Sequence, residues 1–321
     1  MNIPFTQYST TQCRRLFNGK TVSPILPYSY KKEFLRGELT DANISLSVSG
    51  AQHKMPMVID SGIIRYAEKG EQSTHILKPS PTRFSLNRDI PANEDLCMRI
   101  FRKVFRIPTA EACLCFFNDG VPAYLTRRFD ISATGTKLHM EDFASLMNME
   151  IHGGSHHKYE GSYEQLAEVI RKTSAIPALD LRRFYKIVLL NYLICNGDAH
   201  AKNFSMIEDE QGAFILSPAY DIMNTLTHVS DSPFAMKKGL FADGRPFDTR
   251  NAAAVFTDWA ERIGVSPKIA SSDIKQAKQH QSTVERMIAE SFMSTKAQRV
   301  FLYHIRQRFN QFTISPQTVK L

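Results

Sequence analysis

Along the first 131 residues, apolar and polar positions alternate over short intervals, and the interruptions are turn-forming. The runs MPMVID (55–60), IIRYAE (63–68), THILKP (74–79), ACLCFF (112–117) and PAYLTRRFDI (122–131) read as strands bounded by Gly, Ser, Asn, Asp or Pro. Ser61-Gly62 joins the first two. Asn118-Asp119-Gly120 joins the last two as a β-hairpin, because Asp-Gly accepts the positive φ angles that a tight hairpin needs. Between these strands, NEDLCMRIFRKVF (93–105) places Leu96, Ile100 and Val104 at helical spacing, which predicts a helix with Asn93 as its N-cap.

Past Gly135 the period changes. EDFASLMNM (141–149), SYEQLAEVIRKTS (162–174), LDLRRFYKIVLLNYLICN (179–196), NAAAVFTDWAERI (251–263) and TKAQRVFLYHIRQRF (295–309) all repeat apolar residues at intervals of three and four. Residues 181–195 are the most apolar of these, as expected of a buried central helix. The pattern breaks at residues 130–136. The expectation is an α+β protein with a strand-rich N-terminal lobe (1–131) and a predominantly helical C-terminal lobe (132–321).

Composition narrows the class. Apolar residues make up 43% and charged residues 22% of the 321, which is ordinary for a globular protein and argues against extensive disorder. No stretch approaches the roughly 18 consecutive apolar residues of a membrane helix, and the N-terminus lacks the basic start and apolar run of a secretory signal. The formal charge of +8 suits nucleic acid, acidic proteins or polyphosphates, but it is spread out, with short pairs such as Lys31-Lys32 and Lys237-Lys238 and no long basic run. The five cysteines are odd in number and form no CxxC pair; Cys113 and Cys115 read as small apolar fillers of a strand. A reducing, cytoplasmic setting is expected.

The segment NGDAHAKNFS (196–205) carries the chemistry. The preceding helix is predicted to end near Cys195, with Asn196-Gly197 as the turn. Residues 204–207 and 214–216 read as two strands joined by a tight turn at Gly212. In an antiparallel hairpin the residue entering the first strand lies beside the one leaving the second, so Asp198, Asn203 and Asp221 are expected at one end of it. Two carboxylates and an amide suit a hard cation such as magnesium. The spacing from Asp198 to Asn203 is also that of a kinase catalytic loop, where the Asp accepts the substrate hydroxyl proton and the Asn holds a metal, while a second Asp beyond a hairpin bridges metal to phosphates. Upstream, residues 45–54 (SLSVSGAQHK) offer small residues through which backbone amides can approach phosphates. Lys78 sits in a strand, within reach of Glu94 or Asp95 on the next helix.

With these motifs in view, the chain resembles the HipA family of bacterial toxin kinases, from about Ser45 to the C-terminal helices. The resemblance is strongest at SVSGAQHK (47–54), HILKP (75–79), RRFD (127–130), GDAHAKNFS (197–205) and SPAYDI (217–222). It implies a bilobal, protein-kinase-like fold and phosphorylation of protein serine or threonine hydroxyls with ATP and Mg2+. Residue by residue, it implies Asp198 as catalytic base, Asn203 and Asp221 as metal ligands, and Lys78 as the phosphate-contacting lysine. Ser49, Gly50, Ala51, Gln52, His53 and Lys54 match the nucleotide loop. Arg127, Arg128 and Phe129 fall at the interlobe hinge, and His200, Lys202 and Tyr220 lie in nucleotide-contact segments. Family autophosphorylation aligns with Ser47, and Ser45 completes a Ser-x-Ser pair similar to that of the short HipT toxins of HipBST-type systems. A phosphate there would add about two negative charges to the loop.

Only 44 residues precede Ser45, as in that short form, whose missing subdomain can be a separate HipS-like protein. Residue 127 is Arg where some family members have an acidic residue, and NGD and YDI stand in place of the HRD and DFG of ordinary kinases. The resemblance further implies a HipB-like helix-turn-helix antitoxin as partner, DNA contact only through it, and a target such as an aminoacyl-tRNA synthetase. A small-molecule phosphotransferase would use the same three residues. A zinc or other metal-dependent hydrolase built on His152, His156, His157, Asp198 and His200, and a non-catalytic DNA-associated module, are the readings from other classes.

Overall fold

The computed structural model describes residues 4–35, 53–149 and 157–312. An antiparallel sheet is formed by β1 (Met55–Asp60), β2 (Ile63–Tyr66), β3 (His75–Pro79), β4 (Ala112–Phe116) and β5 (Pro122–Arg127), in the order β2-β1-β3-β5-β4. The two hairpins are those that Ser61-Gly62 and Asn118-Asp119-Gly120 predict. Strand β3 is central and pairs Lys78 with Tyr124 of β5. One face of the sheet packs on α1 (Thr10–Phe17) through Leu16, Phe17, Leu77, Cys113, Cys115 and Leu125. Both cysteines are free and buried, as fillers.

On the other face lies α3 (Ile90–Arg99), which follows a short α2 (Tyr30–Leu35) in chain order. This helix departs from expectation at both ends. It starts three residues before Asn93, with Asp89 as N-cap and Pro91 in its first turn, and it passes into a π-helical turn at Ile100–Val104. Asn93 is not a cap but a fully buried tether. Its Nδ2 donates to Asn224 O at 2.9 Å and to His228 Nε2 at 2.8 Å, and its Oδ1 accepts from Asn224 N at 3.0 Å. Asp89 in turn accepts from the Ser294 backbone N–H at 2.5 Å and from its hydroxyl at 2.8 Å. Helix α3 is therefore pinned to the helical part of the molecule at two places.

That part contains α4 (Phe143–Leu146), α5 (Tyr163–Thr173), α6 (Pro177–Leu193), α7 (Ala252–Arg262), α8 (Pro267–Gln279), α9 (Gln281–Ala289) and α10 (Thr295–Asn310). Helix α6 is the buried central helix predicted from its apolar run; Phe184, Val188, Leu189 and Tyr192 are each at most 1% exposed. A second sheet of β6 (Met140–Asp142), β7 (Ser205–Glu208) and β8 (Phe214–Leu216) holds the expected hairpin as β7–β8. Of the predicted helix 141–149, only residues 143–146 are helical; the preceding three form β6 and pair with β7. Among the described residues, no helix is long and apolar enough to cross a membrane.

His75, at the start of β3, is buried with Nε2 3.1 Å from Leu16 O and Nδ1 2.9 Å from Thr74 Oγ1. Burial lowers its pKa to about 4. A group held neutral in this way contributes its full stabilisation above the unfolded value of 6.5 and loses it as pH falls toward the folded value. At pH 5 the loss is about 2 kcal/mol. Thermal unfolding between pH 7 and pH 5 is expected to show a smaller drop in Tm for His75→Gln than for the wild type.

Candidate active site

Helix α6 stops because Cys195 adopts φ +61°, so the left-handed residue is Cys195 rather than Asn196 or Gly197. Asn196 then shapes the turn: its Nδ2 donates to Asn191 Oδ1 at 2.8 Å and its Oδ1 accepts from Asp198 N at 3.2 Å. Gly197 is required by close approach, since a Cβ there would lie 2.3 Å from Ser232 O and 2.5 Å from Asp231 Cγ. Gly197→Ala is expected to cost about 1–3 kcal/mol through overpacking and to displace Asp198. A lowered Tm together with lost ATP turnover would show both effects.

Asn203 ends the short 3-10 turn Ala201–Asn203. Its Oδ1 accepts from His200 N at 3.1 Å and its Nδ2 donates to Asp221 Oδ2 at 3.0 Å. Asp221 follows β8 and is itself in the left-handed region, φ +59°, a conformation that Asp tolerates better than most residues. It is placed by a bridge between Thr109 and Ala219, with Ala110 N donating to Ala219 O at 2.9 Å. The segment leading into β4 thereby carries Asp221 beneath β3.

Lys78 reaches down from β3 and donates to Asp221 Oδ1 at 2.7 Å and to Glu94 Oε1 at 2.6 Å. Of the two acidic candidates on α3, Glu94 is thus the partner; Asp95 pairs with Arg99 at 2.8 Å. Burial opposes the Lys78 charge, but the two carboxylates outweigh it and raise the pKa, so Lys78 stays an ammonium. Lys54 Nζ lies 3.8 Å from Asp221 Oδ2.

Asp198 is buried, and burial raises its pKa to about 7; Lys158 opposes the shift and Asp221 adds to it. Oδ1 accepts from the Tyr159 hydroxyl at 3.1 Å, whereas Oδ2 is buried with no hydrogen-bond partner among the described residues. Burial also holds His200 neutral, with a pKa of about 3. Neither of its ring nitrogens has a hydrogen-bond partner among the described residues. Buried polar atoms without partners call for an explanation, a catalytic role or a bound water or ion among them.

A cleft of about 410 Å³ opens above these residues, lined by Lys54, Lys78, Glu94, Tyr124, Arg127, Arg128, Phe129, Lys202, Tyr220 and Asp221 among others. The Phe129 and Tyr220 rings lie 5.5 Å apart. Tyr220 is held by its hydroxyl, which donates to Lys202 O at 2.9 Å and pairs with Ser205 Oγ at 2.6 Å. Arg127 donates to Arg15 O at 3.0 Å, and Arg128 donates to Asp130 Oδ1 at 2.9 Å and Ser73 Oγ at 3.0 Å, so both guanidinium groups are committed to fold contacts. The structure brings Lys54, Lys78, Lys202, Tyr220 and Asp221 together at the cleft; Asn203 is bonded to Asp221 and to His200 N, and His200 N also donates to Asp198 O at 2.8 Å. Ser45, Ser47, Ser49, Gly50, Ala51 and Gln52 lie outside the described residues, as do His152 and His156; His53 is described and half-buried. Among the described residues, no three His, Cys, Asp or Glu side chains gather as a metal-holding group. Sequence reasoning missed Tyr159; the aromatic in KYE (158–160) carried no signal distinguishing it from a loop residue.

The profile of the HipA-like C-terminal domain matches residues 46–291. The chain belongs to that family. Among relatives, Y4mE of Sinorhizobium fredii, named as a candidate kinase, is 30% identical over 202 residues, 61% of this chain and 46% of its own, so the chain spans about half of that relative's length. A candidate kinase of Haemophilus influenzae is 26% identical over 318 residues, 91% of this chain and 88% of its own. Among solved structures, HipA of Shewanella oneidensis, determined in complex with HipB and its operator DNA, superposes with a TM-score of 0.64 at 19% identity, covering 89% of this chain and 71% of that one. The proinflammatory kinase CtkA of Helicobacter pylori gives 0.51 at 15% identity, covering 79% and 92%. The strand-rich and helical halves thus make up a HipA-like, protein-kinase-like α+β fold.

Proposed function

We propose that this member of the HipA-like family is an ATP-dependent protein serine/threonine kinase, divided at residues 131/132 into an N-terminal and a C-terminal lobe. The observation that carries the reading is the buried contact of Lys78 with both Glu94 and Asp221, with Asn203 bonded to the same Asp221. A strand lysine, a helix glutamate and an aspartate past a hairpin are the parts that align nucleotide phosphates in kinases. In this reading the adenine packs at the hinge against the contacting pair Phe129 and Tyr220, and Lys78 and Lys54 bind phosphate oxygens. Asp198 accepts the proton of a serine or threonine hydroxyl as that oxygen attacks the terminal phosphorus and the bond to the nucleoside diphosphate breaks. We assign that proton to Oδ2, which accepts no hydrogen bond among the described residues.

The donor set suits Mg2+. One carboxylate (Asp221) and one amide oxygen (Asn203) leave most coordination positions to water and phosphates, which is how this ion is commonly held. Bound there, it would neutralise charge on the phosphates. Asn203 Oδ1 already accepts from His200 N but retains a second lone pair.

The family's toxin–antitoxin context extends the proposal. The neighbour HipA is bound to HipB and DNA in its structure, and we propose a HipB-like antitoxin for this chain, with a HipS-like protein completing a short, HipT-like form. The target would be a cytoplasmic protein, such as an aminoacyl-tRNA synthetase, with autophosphorylation at Ser47 and Ser45 as control. Incubation of the purified protein with labelled ATP, Mg2+ and cell lysate tests the reading. A discrete labelled protein supports it. Label only in small molecules indicates the small-molecule phosphotransferase, and failure to bind ATP sinks both.

A further inference from the structure

The segment just before α5 enters the site from outside the catalytic loop. His157–Tyr159 forms a 3-10 turn. It is held by Lys237 N, which donates to Tyr159 O at 2.8 Å, by Lys238 N, which donates to Gly161 O at 2.9 Å, and by an ion pair between Glu160 and Lys237. Gly161, at φ +84°, would place a Cβ 2.7 Å from Gln165 Oε1, and Gln165 belongs to the capping box with Ser162 that opens α5. Tyr159 is therefore presented from a clamped backbone. Its ring stands edge-on to His200, centroids 5.2 Å apart at 78°, with Lys158 Nζ 5.0 Å from its centroid. Its hydroxyl donates to Asp198 Oδ1 at 3.1 Å.

We propose that Tyr159 is a positioning residue for phosphoryl transfer: its hydroxyl occupies Asp198 Oδ1 and fixes the carboxylate so that Oδ2 alone meets the acceptor hydroxyl. This rests on the kinase reading of the site. A buried carboxylate without the bond can rotate about χ2 and exchange its two oxygens, whereas a phenol held on a clamped backbone and packed edge-on to His200 selects one. The hydrogen bond also favours the ionised form, counteracting the burial that raises the Asp198 pKa. The stretch IHGGSHHK, whose histidines suggested a metal, leads into this tyrosine; its residues before His157 lie outside the described set.

Tyr159→Phe keeps the ring and removes the donor. It is expected to lower kcat about ten- to a hundredfold with KM for ATP unchanged, and to lower Tm as well, because it removes a hydrogen bond to a charged group. The acidic limb of the pH–rate profile should move to higher pH. Carbon-13 NMR of the Asp198 carboxyl, assigned by difference with Asp198→Asn, reads the same bond without turnover and should show its titration at higher pH in the variant. An unmoved carboxyl titration overturns the proposal whether or not the protein is a kinase. A moved titration with an unchanged kcat overturns the positioning role. Should the wild type transfer no phosphate while the titration still moves, the kinase reading fails and the positioning role with it, leaving the bond alone.

Discussion

Asp198→Asn is expected to reduce phosphoryl transfer by about 10²–10⁴-fold, the range attributed to a positioned general base, with ATP affinity and Tm close to wild type. Asn keeps the shape and can still accept from Tyr159, but it cannot take the acceptor's proton. The wild-type pH profile follows from the same group. With its pKa raised to about 7 by burial, the competent carboxylate is depleted as pH falls below that value. Turnover under kcat/KM conditions should therefore decline on the acid side of about pH 7, and the residual activity of Asp198→Asn should lack that limb. Single-turnover transfer from labelled ATP, measured across pH 5.5–8.5, checks both; near-wild-type turnover in the variant removes the assignment.

Lys78→Met is expected to abolish transfer and also to destabilise the protein by about 3–5 kcal/mol. Removing one partner of a buried ion pair leaves an uncompensated charge; here Glu94 and Asp221 would both lose Lys78, while Asp221 keeps Lys54 at 3.8 Å. Glu94 is fully buried, and its Oε2 has no hydrogen-bond partner among the described residues, so the penalty falls hardest there. The double variant Lys78→Met/Glu94→Leu should recover part of the stability and none of the activity. Denaturant unfolding beside an ATP-turnover assay separates the two roles. Equal stability of wild type and Lys78→Met would show that the trio does not hold as a buried ion cluster.

Local signals explain why some elements were readable and others not. Gly120 and Gly212 declare their hairpins because few other residues accept the positive φ they adopt there, +79° and +81°. Helix α6 declares itself through the density of apolar residues over 181–195, highest in IVLLNYLIC (187–195), which suits a central buried helix. The meeting of Asn203 with Asp221 follows from hairpin geometry, and the choice of Glu94 over Asp95 was left open because both are on the same turn. Helices α8 and α9 carry weak signals: PKIASSDIKQAKQ and QSTVERMIA are more than half polar, and their few apolar contacts (Ile274, Val284, Ile288) stabilise only against a core that sequence does not display. Asn93 was misread because a cap and a buried tether use the same side-chain chemistry; only the long-range partner, Asn224, tells them apart. Tyr159 depends on a contact across 39 positions and had no local mark at all.

The double fastening of α3 has a bearing on control. To withdraw Glu94 from Lys78 by swinging the helix outward, the protein would have to tear Asn93 from Asn224 and His228 and free Asp89 from Ser294, exposing several polar groups at once. Such a scaffold favours the assembled charge trio. Under the proposed kinase reading, control is then expected at the mouth of the cleft rather than through movement of this helix, which is bolted down.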